Sequence, residues 1–234
     1  MELQTNVVKK ETLELLKKLM QEEIFKEYFL VGGTALALNL GHRISVDIDM
    51  FTRNDIPVEQ LQKELQTKYN FKERFKQKNT LKGVINNVEV DFIKYDYNFI
   101  KPIEEEQDIR FTSIPDIIAM KLSAITDNGT RMKDFLDIVY LSSYYSLNEM
   151  TDFYNKKFQI TNKISVSKAL IYFNDVNNND TIELIKGKFS WEKTKKRLIE
   201  MTQKPNEKFP NINMEFSKSQ KQNLKTSHTR KPKL

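Results

Sequence analysis

The chain has 234 residues, 39% of them hydrophobic, and a formal net charge of +6. It contains no cysteine, which excludes disulfides and thiolate metal sites, and no apolar run approaches the roughly 20 residues that a membrane-spanning helix needs. The N-terminal segment, with Glu2, Glu11 and Glu14 interspersed, lacks a signal-peptide profile, so we expect a cytoplasmic protein with no membrane partner. A chain of this length predicts one α/β core with a helical extension.

A glycine-rich junction follows the first predicted strand. Leu30 and Val31 are typical of the end of a buried strand, and Ala35 to Leu40 predicts a short helix. Gly32-Gly33-Thr34 lies between them. Glycine permits close approach of the backbone, and the first N–H groups of a helix are free to bind phosphate. The junction is therefore a candidate phosphate-binding loop.

Two aspartates close the same segment. Asp47 and Asp49 lie in a run of Val, Ile, Met and Phe that predicts a strand, and residues two apart on a strand project to one face. We expect Val46, Ile48 and Met50 to face the core on the other side. Two carboxylates held this close repel each other unless a cation lies between them, and Mg²⁺ is commonly held by carboxylates plus substrate phosphates. The pattern favours phosphoryl or nucleotidyl transfer; the alternative is a solvated Asp-x-Asp turn after an ordinary tight loop.

A third acid follows in the next part of the chain. Pro57 to Tyr69 predicts a helix, and residues 71–86 predict short charged strands that turn at Lys82-Gly83. In the next strand Asp91 alternates with apolar residues, and we expect it on the same side of the sheet as the first two aspartates. There it would serve as a metal ligand or as the base that deprotonates an attacking hydroxyl, with Glu89 as the other candidate. The alternative is an ordinary polar residue on a solvated face.

The helical half begins with a helix capped by Ser113. Lys121 lies on or beside the apolar stripe of this helix, where an ammonium needs a partner. A nucleoside triphosphate is one such partner, and a lysine that extends to solvent is the alternative. On the next helix, Asp134 and Asp137 are neighbours on one face, although Asp137 would also suit an exposed pair with Lys133.

The C-terminal part is helical in pattern from Leu147 to about Gln203, with a loop from Asn174 to Asp180. Residues 217–234 carry six basic residues and no acid, which accounts for the whole net charge of the chain. This composition predicts a disordered tail. The tail either contacts RNA phosphates in a salt-sensitive manner or only keeps the protein soluble.

Two blocks of the sequence resemble a known family. Leu30 to Phe51, which begins Leu-Val-Gly-Gly-Thr and ends Arg-Ile-Ser-Val-Asp-Ile-Asp-Met-Phe, is similar to the signature of the AbiEii/AbiGii toxin family of nucleotidyltransferases, and Lys121 to Ile138 is similar to that family's second conserved block. The resemblance implies a DNA polymerase beta-like nucleotidyltransferase of the α+β class, in which a mixed sheet with flanking helices precedes a helical C-terminal half. We expect a nucleotidyltransferase core at residues 1–100, a helical region at 101–205 and a basic tail at 206–234.

The residues and the resemblance together define an expected site. The resemblance alone implies that Lys121 binds nucleotide phosphates and that Asp134 is an essential acid. Two choices stay open: whether Arg131 or Lys133 contacts phosphate, and whether Asp91 or Asp134 is the base. The expected set consists of the catalytic residues Asp47, Asp49, Asp91, Lys121 and Asp134, the metal ligands Asp47, Asp49 and Asp91, and the nucleotide-binding residues Gly32, Gly33, Thr34, Arg43, Ser45, Lys121 and Arg131.

The expected function is the transfer of a nucleoside monophosphate from a nucleoside triphosphate to RNA, with Mg²⁺ or Mn²⁺ as the cofactor. The resemblance adds that the RNA is a tRNA acceptor end, that the enzyme acts as a toxin of a toxin–antitoxin pair or in phage defence, and that an antitoxin protein is encoded nearby. Two alternatives stay open: modification of a hydroxyl on a protein or small molecule, and a non-catalytic module that binds nucleotide or RNA.

Overall fold

A mixed seven-stranded sheet forms the centre of the computed structural model, which describes residues 2–159, 163–177 and 181–213. Within these residues the strands follow the order β3-β4-β5-β2-β1-β7-β6. The pairs β2–β5 and β1–β7 are parallel, and the other neighbours are antiparallel. The strands are β1 Phe29–Leu30, β2 Ile48–Thr52, β3 Lys72–Gln77, β4 Thr80–Ile85, β5 Val88–Lys94, β6 Glu104–Glu106 and β7 Ile109–Phe111.

Local signals in the sequence define the ends of several helices. Ser113 caps α4 by accepting a hydrogen bond from the Asp116 N–H, and Ser146 and Glu149 form a capping box at α6. Gly41 adopts the left-handed conformation that ends α2. The helices are α1 Lys10–Gln21, α2 Gly32–Leu40, α3 Val58–Tyr69, α4 Ile114–Asp127, α5 Met132–Leu141, α6 Leu147–Phe158, α7 Lys163–Leu170 and α8 Trp191–Gln203. The predicted α+β class, a mixed sheet followed by a helical half, is confirmed.

Strand β2 separates the core from the open face of the sheet. Ile48 and Met50 are fully buried, while Asp49 between them projects to the opposite side. Val46, which we expected in the core with them, is instead 40% exposed. The reason is that β2 begins only at Ile48, so the alternation of the strand does not extend back to residue 46.

The predicted turn at Lys82-Gly83 is wrong, since both residues lie in the middle of β4. The turns are made instead by Asn79, at the β3–β4 connection, and by Asn86 and Asn87, at the β4–β5 connection, all with positive φ. Gly83 serves packing: a Cβ at this position would overlap the carbonyl oxygen of Lys72 and the ring of Phe71.

The helical half is fixed to the core by buried polar contacts. Lys157 of α6 lies 2.7 Å from Asp116 of α4, and neither side chain is exposed. Residues 206–213, expected at the start of the tail, pack against the helices: Phe209 N–H donates to the Ser142 carbonyl, and Ile212 is buried. The rest of the predicted tail, and residues 178–180 of the predicted loop, lie outside the described residues. No helix among the described residues is both long enough and apolar enough to cross a membrane.

Candidate active site

Three carboxylates meet on the open face of the sheet. Asp49 of β2 lies directly opposite Asp91 of the parallel strand β5, and Asp47 immediately precedes β2. Residues that are opposite each other on neighbouring strands project to the same face with closely spaced side chains. The sequence placed these three acids on one face, and the structure brings them together there.

The acids are under electrostatic strain that a cation would relieve. Burial, and after it the nearby carboxylates of Asp91 and Asp47, raise the pKa of Asp49 to about 6, while the guanidinium of Arg131 acts in the opposite direction. A carboxyl group in this state binds a proton or another cation more readily than a free aspartate does. This environment is suited to a divalent cation held by carboxylate oxygens.

One of the three acids already has a cationic partner. The ammonium of Lys82 lies 2.5 Å from Oδ2 of Asp91, its cross-strand neighbour. Among the described residues, no three His, Asp or Glu side chains are arranged as a ready-made metal site. The donor set therefore fits a divalent cation in its chemistry and its common face, and Asp91 would have to give up its contact with Lys82 to bind a cation through Oδ2.

The glycine loop is packed against these acids. Gly32 has a φ of +69° and begins α2, and a Cβ at this position would overlap Oδ2 of Asp49. A Cβ on Gly33 would lie 2.5 Å from Nη2 of Arg43. Glycine is therefore required at position 32, and any larger residue at position 33 would displace the guanidinium of Arg43. The free N–H groups of the first turn of α2 lie beside the carboxylates. The Thr34 hydroxyl is buried against Ser45 and the Asp47 carbonyl, so this side chain holds the loop in place.

A buried ion network forms the floor of the site. Asp137 accepts hydrogen bonds from Nε and Nη2 of Arg43, at 2.8 and 2.9 Å, and its Oδ1 lies 2.8 Å from Nε2 of His42. Burial raises the pKa of Asp137, but the charges of Arg43 and Lys121 outweigh it and hold the pKa well below the ordinary value. Because Asp137 is fully buried, the alternative of an exposed pair with Lys133 is wrong.

Lys121 belongs to the same network. Its ammonium lies 2.7 Å from Asp134 and 2.6 Å from Asp137, and the residue is only 5% exposed. The alternative of a lysine that extends to solvent is therefore wrong. Burial lowers the pKa of Lys121, but the two carboxylates raise it above the ordinary value. The roles of Lys121 in phosphate binding and of Asp134 as an essential acid stay predictions.

A cleft of about 180 Å³ opens beside the glycine loop, and we call it the first cleft. Predicted residues make up half of its lining: Gly33, Thr34, Arg43, Ser45, Asp47, Asp49 and Arg131. A larger opening of about 340 Å³, the second cleft, is lined by Asp47, Ile48, Asp49, Glu89, Asp91 and Arg131. Two of the acids, Asp47 and Asp49, together with Arg131 thus lie between two spaces, which suits a reaction between two substrates.

Sequence reasoning missed the wall of the first cleft. The segment 181–185 lies across the loop before β2, since Ile44 N–H donates to the Glu183 carbonyl and Ile185 N–H to the His42 carbonyl. Thr181, Ile182 and Glu183 therefore line the cleft, as do Lys9, Ile44, Val46 and Lys133. The segment carried no motif, and its partner is more than a hundred residues away in the chain, so no local signal pointed to it.

Comparison with known proteins supplies the family. A family described as "Nucleotidyl transferase AbiEii toxin, Type IV TA system" matches residues 14–222. An uncharacterised protein of Aquifex aeolicus (strain VF5), aq_aa25, is 30% identical over 174 residues, which cover 72% of this chain and 84% of that protein.

Solved structures of low sequence identity also match. JHP933 from Helicobacter pylori is 17% identical, with a TM-score of 0.48, over 94% of this chain and 100% of that one. MenT4, the nucleotidyltransferase toxin Rv2826c of Mycobacterium tuberculosis H37Rv, is 12% identical, with a TM-score of 0.46, over 91% and 88% of the two chains. Because the family match spans most of the sequence, this protein belongs to the AbiEii family of nucleotidyltransferases, the toxins of type IV toxin–antitoxin systems.

Proposed function

We propose that the protein transfers a nucleoside monophosphate from a nucleoside triphosphate to the acceptor end of a tRNA, with Mg²⁺ or Mn²⁺, and that this reaction is its toxic activity. The observation that carries the proposal is the register of β2 and β5, which sets Asp49 opposite Asp91 beside the N-terminus of α2. Phosphate-binding N–H groups next to converging carboxylates are the apparatus of nucleotidyl transfer.

The first cleft is the proposed nucleotide site. The N–H groups in the first turn of α2 are available to the phosphates, and Arg131 and Lys133 supply positive charge at the same cleft. Arg131 lines both clefts, whereas Lys133 lines only the first. We therefore assign to Arg131 the contact with the phosphate that is transferred, and to Lys133 a contact with the leaving pyrophosphate.

The carboxylates are the proposed metal ligands. Asp47, Asp49 and Asp91 would hold the divalent cation, which, when bound, lowers the charge on the phosphate that is attacked. In the reaction, the acceptor hydroxyl oxygen forms a bond to the α-phosphorus and the bond between the α- and β-phosphates breaks. Pyrophosphate leaves, and the hydroxyl proton passes to a carboxylate.

Asp91 is the better candidate for that proton. It faces the second cleft, where an acceptor can approach, and its partner Lys82 is 39% exposed, whereas Asp134 and its partner Lys121 are both buried. In the folded protein, Lys121 holds Asp134 and Asp137 in place. It would reach a nucleotide phosphate only by leaving Asp134, so the proposed phosphate contact of Lys121 requires that side chain to move.

The biological setting is part of the proposal. A type IV toxin is expected to have an antitoxin protein encoded nearby, and tRNA as a substrate implies a cytoplasmic location. A role in phage defence would follow from control of the toxin by that antitoxin. Expression of the wild-type chain should stop growth, and the Asp49→Asn variant should not.

The direct test incubates the protein with each labelled nucleoside triphosphate, Mg²⁺ and total tRNA. We expect label in the tRNA with wild type and with Asp55→Asn, a control that changes an acid 79% exposed to solvent outside both clefts. We expect none with Asp49→Asn. Label in protein bands but not in RNA would show that the acceptor is wrong, and no labelling of any acceptor by wild type would contradict the transfer itself.

A further inference from the structure

A continuous row of side chains crosses the open face of the sheet from the acids to its edge. Asp49 of β2 is opposite Asp91 of β5, Asp91 is opposite Lys82 of β4, and Lys82 is opposite Phe75 of β3. Opposite residues on neighbouring strands project to the same face. Phe75 therefore lies on the same face as the proposed metal ligands, about 10 Å from Asp91 at the usual strand spacing.

The ring at the end of this row is open to solvent. Phe75 is 46% exposed, and none of the described rings stacks against it. It is the one apolar residue of β3, an edge strand with the sequence Lys-Glu-Arg-Phe-Lys-Gln in which every residue is exposed. A flat apolar surface is thus available beside the second cleft, at a distance that a few nucleotides of single-stranded RNA can span.

Basic groups surround the ring on the same face. A bulge between Glu73 and Phe75 lets Arg74 reach across β4, where its guanidinium lies 2.6 Å from Oε1 of Glu89. Lys72 lies opposite Val84, which shares its face with Lys82 two residues earlier. Arg74 neutralises Glu89, and Lys72 and Lys82 add positive charge, so the face complements a phosphodiester backbone once cations neutralise the acids.

We propose that Lys72, Arg74, Phe75 and Lys82 form an acceptor face that binds the single-stranded 3′ end of the RNA. A base stacks on Phe75, the basic residues contact the backbone phosphates, and the terminal hydroxyl reaches Asp91 in the second cleft. Exposed aromatic rings beside cationic grooves are the usual means of binding single-stranded nucleic acid. This inference rests on the proposed function and specifies where its RNA substrate lies.

A protein strand added to the edge of the sheet is disfavoured as the occupant. Strand β3 carries charged side chains at four of its six positions, the kind of edge that resists pairing with another strand. The bulge also interrupts the regular row of backbone groups that such pairing needs. The same features leave the ring and the basic side chains accessible to RNA.

The test measures binding of a short single-stranded RNA with a free 3′ hydroxyl by fluorescence anisotropy, with full-length protein, Mg²⁺ and no nucleotide. Phe75→Ala should weaken binding about tenfold, and Phe75→Trp should restore it. The matched control is Tyr144→Ala, which removes a ring that is 52% exposed away from both clefts. The double variant Lys72→Gln/Arg74→Gln should weaken binding and reduce its salt dependence.

Two further readouts separate this inference from the proposed function. Calorimetric binding of the Mg²⁺–nucleotide complex should be unchanged in Phe75→Ala, which also shows that the variant is folded. With tRNA as acceptor, KM for the RNA should rise about tenfold in Phe75→Ala while KM for the nucleotide stays constant. If wild type labels tRNA and Phe75→Ala has an unchanged KM for the RNA, the acceptor face alone is overturned. If wild type labels no RNA, the proposed function is overturned as well.

Discussion

The ammonium of Lys121 lies 2.6 Å from Oδ2 of Asp137, and both side chains are almost completely withdrawn from solvent. The same carboxylate binds Arg43, which belongs to the loop that lines the first cleft. This one acid therefore joins α4, α5 and the wall of the first cleft. The first cleft therefore depends for its shape on an ionised Asp137.

Removal of this charge should destabilise the whole protein. The Asp137→Asn substitution leaves two buried cations, Arg43 and Lys121, without their main partner, and an uncompensated buried charge costs about 3–5 kcal/mol. The free energy of unfolding, measured with urea at pH 7, should fall by about this amount. Glu59→Gln, which removes an exposed partner of Lys76, is the control and should change it by less than about 1 kcal/mol. A loss for Asp137→Asn no larger than that of the control would contradict the network as described.

Removal of the Asp49 charge should have the opposite effect, because it should stabilise the metal-free protein. Its pKa is raised from 3.8 to about 6, so the folded state binds the proton more tightly than the unfolded state does. The stability gained from protonation is complete below pH 3.8 and is lost as the pH rises through about 6. Above that pH the ionised Asp49 costs roughly 1–3 kcal/mol.

The measurement compares Asp49→Asn with wild type by urea unfolding in chelator between pH 4 and 8. The variant should be the more stable protein at pH 8, and the difference should shrink towards pH 4. Asp55→Asn should show no such gain, because the ammonium of Lys94 lowers the pKa of Asp55. A difference between Asp49→Asn and wild type that does not vary with pH would show that burial and the neighbouring carboxylates do not perturb Asp49.

The residues that the sequence revealed are those with local signals. The glycine loop, the burial of Ile48 and Met50 in β2 and the Ser113 cap each depend on neighbours a few residues away, and all three were located correctly, although the alternation did not extend back to Val46. The partner of Asp137 stayed open because Arg43 is 94 residues distant, and helical spacing offered only Lys133. The turn at Lys82-Gly83 was misplaced because glycine there serves packing against Phe71, which is a tertiary requirement.

Gly32 should be indispensable for the site. Alanine at this position requires a left-handed backbone conformation, which costs about 1–2 kcal/mol, and its Cβ would displace Asp49. We expect Gly32→Ala to weaken nucleotide binding at least about tenfold, measured by calorimetry with Mg²⁺, because both the glycine loop and the carboxylate move.

Gly41→Ala is the matched control for backbone strain. Gly41 has a similar φ of +63°, but its Cβ would meet only the flexible side chain of Gln4. The control should lose similar stability, about 1–2 kcal/mol, and retain nucleotide affinity. Equal loss of affinity in both variants would show that strain in α2, and not the contact with Asp49, limits nucleotide binding.

Lys82 should compete with divalent cations for Asp91. Its ammonium lies 2.5 Å from Oδ2 of Asp91, so a cation that uses this oxygen must displace it. The pair is 39% and 22% exposed, so its strength is modest, on the order of 1 kcal/mol. Lys82→Met should therefore bind Mn²⁺ about fivefold more tightly than wild type in the absence of nucleotide.

The control is Lys94→Met, which also removes one positive charge from the sheet. Lys94 lies on β5 and is paired with Asp55 and Asp96, not with Asp91. Long-range attraction of the metal changes similarly in both variants, so only loss of the direct contact with Asp91 distinguishes them. Calorimetric titration with Mn²⁺ measures the two affinities. If Lys82→Met binds the metal no more tightly than Lys94→Met, the cation does not bind Asp91 through Oδ2 in the nucleotide-free protein.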